Sequence, residues 1–358
     1  MNTGIEGNSY GAVISPSRLT YKIGQGSAQV MRDAVLIGTN DDEVNYGSTQ
    51  SATDLILQMP MMYNNGIYIG SGALSLQVPD GTAKGGNARG NGAVDLQTYR
   101  NNASQVASGT YSVAMGYNNA SSSSYAAAFG NNNTSSGNAS VAIGYQNISS
   151  NSYSIAMGGN NTASNGVSVA IGSNNTSTGF YSTAIGYYCV ASGDCSIALS
   201  SQSVTNNISS KVAIGTAINY SIGVSQYGQL GVGAITTDAT ATVLKSDINA
   251  LSARNQCTLQ NNNAMSFTIE VVARNISTGM TGRWEAKGLI KRGANASSTA
   301  LVGTPTVTLT NSDNEAWIVA GAIAITADTT YGALAVTVTG AASTTIHWMC
   351  RINTVEII

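Results

Sequence analysis

The sequence predicts an all-β chain organised around a parallel β-solenoid, and three observations carry that prediction. A short phrase returns at a 14-residue period, ending on Gly116, Gly130, Gly144, Gly158, Gly172 and Gly186. Ser200 takes the next place, and Lys211-Val212-Ala213-Ile214-Gly215 closes the series one residue late. Within the phrase, as in Ser140-Val141-Ala142-Ile143-Gly144, larger apolar residues alternate with small ones, which is the period of a strand. Beyond residue 234, longer runs alternate in the same way between polar turns, as antiparallel strands do.

Composition bounds the function classes. The 358 residues leave room for two or three domains. No apolar run is long enough for a membrane helix, so membrane insertion is not expected. The start, Met1-Asn2-Thr3-Gly4-Ile5-Glu6-Gly7, lacks the basic stretch and apolar core of a signal peptide, so export by the general route is not expected either. Net charge is -2, and between Asn101 and Ser200 the only charged side chain is Asp194. Without a stripe of Lys and Arg, nucleic acid is not an expected partner. Strict patterning and richness in Val, Ile and Thr argue against disorder. Cys189, Cys195, Cys257 and Cys350 show no zinc-type spacing and read as small buried thiols.

Residues 1–83 read as short strands separated by Gly, Pro and Asn: 11–14, 18–23, 34–37, 54–59, 66–69 and 74–78. This part is expected to be a β-rich attachment module. Its small acidic run, Asp41-Asp42-Glu43, is a solvated loop, because no further ligand is spaced to complete a metal shell. From 84 to 105 the chain is rich in Gly and Asn and reads as a lead-in; Gly85-Gly86 lacks the strand-to-helix context of a phosphate loop.

In the repeat, 106–215, each glycine ends one strand and a second short arm follows. Asn or Gln stands two residues after most of the glycines, and a small or β-branched residue stands four after. A turn of Ser, Gly and Asn then closes the coil. Stacked at about 4.8 Å per coil, the seven main coils make a rod on the order of 30 Å long. Asn119, Asn133, Asn147, Asn161 and Asn175, followed by Cys189 and Ser203, fall three residues after the glycine position, and the asparagines are placed to form an amide ladder. Either Ala and Ser or a single row of Val and Ile faces inward. Both are thin cores against an ordering cost of ~1–2 kcal/mol per residue, so the other apolar row needs a cover.

The phrase and its period resemble the head repeats of trimeric autotransporter adhesins. That resemblance implies a left-handed parallel β-roll packed as a homotrimer. The chain departs from those adhesins in showing no signal peptide, coiled-coil stalk or membrane-barrel anchor. The segments Ala88-Arg89-Gly90 and Ala93-Val94-Asp95-Leu96-Gln97, together with Ala296 to Gly303, Ile325 to Thr330 and Trp348 to Ile352, resemble bacteriophage tail-fibre proteins. Such a fibre leaves its host by lysis and needs no export.

A neck, 216–233, is expected before a C-terminal β-sandwich head, 234–358. Its strands are placed at 267–274, 283–291, 306–309, 317–325, 333–338 and 345–352. Alternation sets Trp284, Ala286, Gly288 and Ile290 against Arg283, Glu285, Lys287 and Lys291, and sets Ile346, Trp348, Cys350 and Ile352 against His347, Met349 and Arg351. The Trp residues are therefore core or interface.

No catalytic constellation stands out. His347, the sole histidine, has no evident nucleophile and reads as a strand-face or interface residue. Glu270 and Glu285 are the candidates for a carboxylate pair, with paired surface charge as the simpler reading. The chain is accordingly expected not to be an enzyme and to need no cofactor or metal. Arg283, Lys287, Lys291 and Arg292 form a basic set suited to an anionic receptor glycan. The expected whole is a homotrimeric phage tail fibre, assembled in the host cytoplasm and carried on the virion. Its N-terminus would join tail or baseplate proteins, and its C-terminal head would meet a host-surface glycan or outer-membrane receptor. The alternatives are a head-fibre or baseplate component without receptor contact, a cell-surface adhesin, or a polysaccharide-degrading tailspike.

Overall fold

A computed structural model describes residues 11–15, 18–22, 68–70, 73–77, 79–216 and 223–357, the first three segments as strand pairings only. The expected strands 34–37 and 54–59, Asp41-Asp42-Glu43 and most of the attachment module lie outside the described residues. Gly11–Ser15 and Arg18–Lys22 pair as an antiparallel hairpin.

The chain is all-β, with two short 3-10 turns as the only helix among the described residues, and it contains a solenoid of about eight turns. Long arms such as Val141–Tyr145 stack in parallel and in unshifted register, with Val141 on Ile155, Ala142 on Ala156 and Gly144 on Gly158. Short arms such as Ile148–Ser149 stack into a second parallel sheet. Parallel stacking already begins upstream of the periodic region, where Val94–Tyr99 pairs with Val113–Tyr117 and Leu74 with Val94. The Gly- and Asn-rich lead-in thus supplies a long arm that stacks on the roll. Its longer turn hides it from a search at fixed period.

The inward row is alanine. Ala114, Ala128, Ala142, Ala156, Ala170, Ala184, Ala198 and Ala213 are fully buried, facing buried Ser135, Ser149, Ser177 and the asparagines. Val141, Ile143, Ile155, Met157, Val169 and Ile171 point outward and are half-exposed. Two sheets this close have no room between them for branched side chains. Hydroxyl pairs bridge them instead, Ser149 to Ser154 at 2.7 Å and Ser177 to Ser182 at 2.7 Å.

Two turn positions explain the recurring residues. Gly144 has φ 119°, and a Cβ there would lie 2.1 Å from the Gly158 carbonyl of the next coil. No side chain fits. Asn118, Asn132, Gln146, Asn160 and Asn174 lie in the left-handed region at φ 55° to 57°, which Asn tolerates better than most residues.

The amide ladder forms. Asn133, Asn147, Asn161 and Asn175 each donate Nδ2 to the Oδ1 of the asparagine one coil earlier at 3.0 Å. Gln97 starts it, accepting from the Asn119 backbone N–H at 2.6 Å. Cys189 ends it, its Sγ lying 3.5 Å and 3.4 Å from the Ile185 and Ser200 carbonyls, the equivalents of those an asparagine amide would reach. In the coil that includes Val94–Tyr99, at the place of the alanine row, Asp95 sits between Arg89 and Arg100 at 2.7 Å and 2.8 Å with all three side chains fully buried. This is a charged plug where the alanine row stops.

The segment expected as a neck carries regular structure. Ser225–Thr236 is a twelve-residue strand, paired on one side with the last coil, Val212–Gly215, and on the other with Ile346–Ile357. Its glycines read as loop, yet Gly231 and Gly233 lie beneath Met349, whose long side chain takes the space theirs leave open. From Ile346–Ile357 the ladder continues through Asn263–Asn275 and Thr281–Arg292 to Thr306–Ser312. One open sheet therefore runs from the roll into the C-terminal region. A smaller antiparallel sheet has Ala333–Thr339 at its centre, with Ile323–Asp328 on one side and Ala241–Val243 and Cys257–Thr258 on the other. The strand expected over 317–325 begins only at Ile323. Before it lie a turn and a 3-10 segment, Ala320–Ala322.

The two sheets share one core. Trp284, Trp317 and Trp348 meet at its centre with ring centroids 5.6 to 6.2 Å apart. Each indole N–H has a partner: the Val319 carbonyl at 2.9 Å, Glu315, and Thr236 Oγ1 at 2.9 Å. Where roll meets core, Lys211 Nζ contacts Glu356 at 2.7 Å and 3.0 Å, with both side chains almost fully buried. Gln226 and Thr354 donate to the same carboxylate, each at 2.7 Å. Burial alone would raise the Glu356 pKa, but Lys211 and these donors outweigh it and hold the carboxyl below its ordinary value.

Candidate functional site

The basic set expected from sequence does not assemble into one patch. Arg283, Lys287 and Lys291 share the exposed face of Thr281–Arg292. Arg292 stands on the opposite parity and donates to the Leu259 carbonyl at 2.7 Å. Arg283 is already engaged, with its guanidinium 2.9 Å from Glu270 and 2.6 Å from Glu285. Lys287 and Lys291 remain exposed, four residues apart on one strand and hence about 13 Å apart.

Glu270 and Glu285 do face each other across paired strands. Arg283 lies between them, and Arg351 reaches Glu270 at 2.6 Å. The hydrogen bond from Arg283, aided by both guanidinium charges, keeps the Glu270 carboxyl below the ordinary range. That is the reverse of what a general acid requires. His347 is exposed, between Ile235 and Arg274 in the ladder. Among the described residues no three His, Cys, Asp or Glu side chains cluster as metal ligands. Burial pushes the Cys257 thiol up to about 12, and Cys350 is shifted the same way. Cys195, expected to be buried, is exposed at a turn.

What stands out instead is the surface of the roll and its continuation. The outward Val and Ile rows run down every coil to Ile214, which pairs with Tyr227, which pairs in turn with Val355. Ile185, Ile214, Tyr227 and Val355 are 40 to 54% exposed, so the apolar strip passes from roll to C-terminal sheet without a break. A shallow depression of about 380 Å³ lies along it, lined by Val212, Ile214, Tyr227, Phe267 and Val355 among others. Tyrosines form a second surface, on the turns. Tyr111, Tyr125, Tyr153 and Tyr181 recur at one position of the coil, all exposed. The sequence contains that signal, but a search for charged or nucleophilic chemistry passes over it.

Overlapping segments 107–133, 121–147, 135–161, 149–175, 163–188 and 177–199 match the model of the YadA head domain repeat (2 copies). The chain therefore carries adhesin-type head repeats over its roll. Among curated proteins, none matches it. A solved structure of the tailspike protein gp49 from Acinetobacter baumannii bacteriophage Fri1, described as a capsular polysaccharide depolymerase, is similar over 74% of this chain at 8% identity and a TM-score of 0.24. The matched region is 44% of that protein's length. The expectation that the chain is not an enzyme is corrected here, because this structural neighbour is itself an enzyme. A likeness of that TM-score carries no argument for any particular activity. No helix among the described residues is long and apolar enough to cross a membrane.

Proposed function

We propose that the protein is a trimeric attachment fibre of a bacteriophage, with the roll as shaft and the C-terminal sheets as a sandwich-like head that meets a host-surface receptor. The observation that carries this reading is the unbroken apolar strip on the outer face of every coil. A monomer leaves it in water, and association about an axis along the rod covers it at once. The match to adhesin head repeats supports the same assembly. Three copies of a weak site would then bind together, and Lys287 and Lys291, the two cations of the set left exposed on one strand face, are the side chains offered to an anionic glycan.

Two measurements test the proposal. Light scattering on the purified protein is expected to give three chain masses; a monomer overturns the fibre. Purified trimer is expected to block adsorption of particles to host cells, whereas unblocked adsorption favours a purely structural virion component. Incubation with capsular polymer, read by loss of chain length, decides whether the fibre also cleaves what it meets.

A further inference from the structure

On the edge of the roll where the short arm turns back into the long arm, one position per coil holds a left-handed backbone. Tyr111, Tyr125, Tyr153 and Tyr181, with Ala139 and Val167 between, occupy it at φ 50° to 59°. Asn and Gly take that conformation at least cost, and the opposite edge mostly uses Asn there. Tyrosine is not what the backbone asks for. Nor does burial account for the rings, since these four tyrosines stay 55 to 61% exposed. Exposed residues held at a conformational cost concentrate at functional sites.

Tyr111 and Tyr125, on successive coils, stack with centroids 5.7 Å apart and planes 16° apart. At Ala139 and Val167 the series has no ring. Tyr125, Tyr153 and Tyr181 thus recur every second coil, roughly 9.6 Å apart along the rod.

We propose that this edge binds an uncharged, linear polysaccharide laid along the rod. Its sugar rings pack their C–H faces on Tyr125, Tyr153 and Tyr181, and its hydroxyls bond to the Ser, Thr and Asn of the same turns. Three features select this occupant. The stretch from Asn101 to Ser200 has one charged side chain, Asp194, and so offers little to an ionic polymer. A ring position repeated at constant rise suits a polymer with its own repeat. Self-association already has a separate surface, the Val and Ile rows on the flat face of the coils, and does not require the tyrosines.

The proposal rests on the attachment reading only in assuming that a surface polymer is the target, and its test uses no cells. The full chain and the triple variant Tyr125→Asn/Tyr153→Asn/Tyr181→Asn are run by affinity electrophoresis through linear neutral glucans, mannans and galactans, and through uronate polymers. Asn suits the left-handed turn, so the variant is expected to fold with an unchanged or higher melting temperature. Wild type is expected to be retarded by at least one neutral polymer, insensitively to salt, and the variant to bind roughly tenfold more weakly or not at all. Absence of retardation by every neutral polymer, equal retardation of the variant, or binding confined to uronates overturns the proposal. A change of oligomeric mass in the variant also overturns it, by assigning the row to self-association. Failure of receptor blocking with polymer retention intact would count against the attachment reading alone.

Discussion

Asn147 lies at the middle of the amide ladder. It donates to Asn133 Oδ1, to the Ile143 carbonyl at 2.9 Å and to the Gly158 carbonyl at 2.8 Å, and it accepts from Asn161 at 3.0 Å. Truncating it orphans buried groups in three coils. Asn147→Ala is therefore expected to cost about 3 kcal/mol, read as a lower denaturant midpoint. Cys189→Asn is expected to act in the opposite sense and add about 1 kcal/mol, because it supplies the missing amide where Cys189 Sγ now contacts the same kinds of carbonyl. Val167 is a β-branched residue at φ 55°, a conformation that costs an L-residue about 1–2 kcal/mol. Val167→Asn is expected to recover roughly 1 kcal/mol of it, read as a higher melting temperature.

At the scale of elements, the junction between the last coil and Ile346–Ile357 depends on the buried pair of Lys211 and Glu356. Glu356→Gln leaves the ammonium buried without a counter-charge, and a loss of about 3–5 kcal/mol at neutral pH is expected. The pH dependence follows from the lowered pKa of Glu356. Its contribution is fully present above the ordinary value of 4.5 and is lost as pH falls through the lower value in the folded protein. The wild-type unfolding midpoint is expected to drop below pH 4.5, with the variant showing a flatter profile. An equal drop in both would place the acid sensitivity elsewhere.

For the whole molecule, the outward rows make a testable demand. Ile143 and Ile171 are half-exposed in the single chain, and neither fills the alanine interior. Ile143→Asp/Ile171→Asp is expected to leave the coil intact in circular dichroism while reducing the mass in solution to one chain. A trimer unaffected by both charges would place the association surface elsewhere. Continuity of the sheet from roll to C-terminal core has a mechanical consequence as well. Load between the roll and the C-terminal core passes through the backbone hydrogen bonds of one ladder.

The 14-residue beat was enough to show the coil, its register and the asparagine ladder, because a repeat that stacks on itself writes its contacts into its own period. Alternation likewise gave the faces of Thr281–Arg292 and Ile346–Ile357, and hence the buried tryptophans. Which apolar row faces inward was left to the tertiary structure, since both parities alternate equally well and only the narrow gap between the sheets excludes Val and Ile. The lead-in coil was hidden because its longer turn breaks the 14-residue period, and the glycine-rich strand Ser225–Thr236 because its partner Ile346–Ile357 lies far along the chain. The basic set dispersed because Glu270 and Leu259, which engage Arg283 and Arg292, are brought to them by strand pairing and packing, on which spacing within one strand is silent.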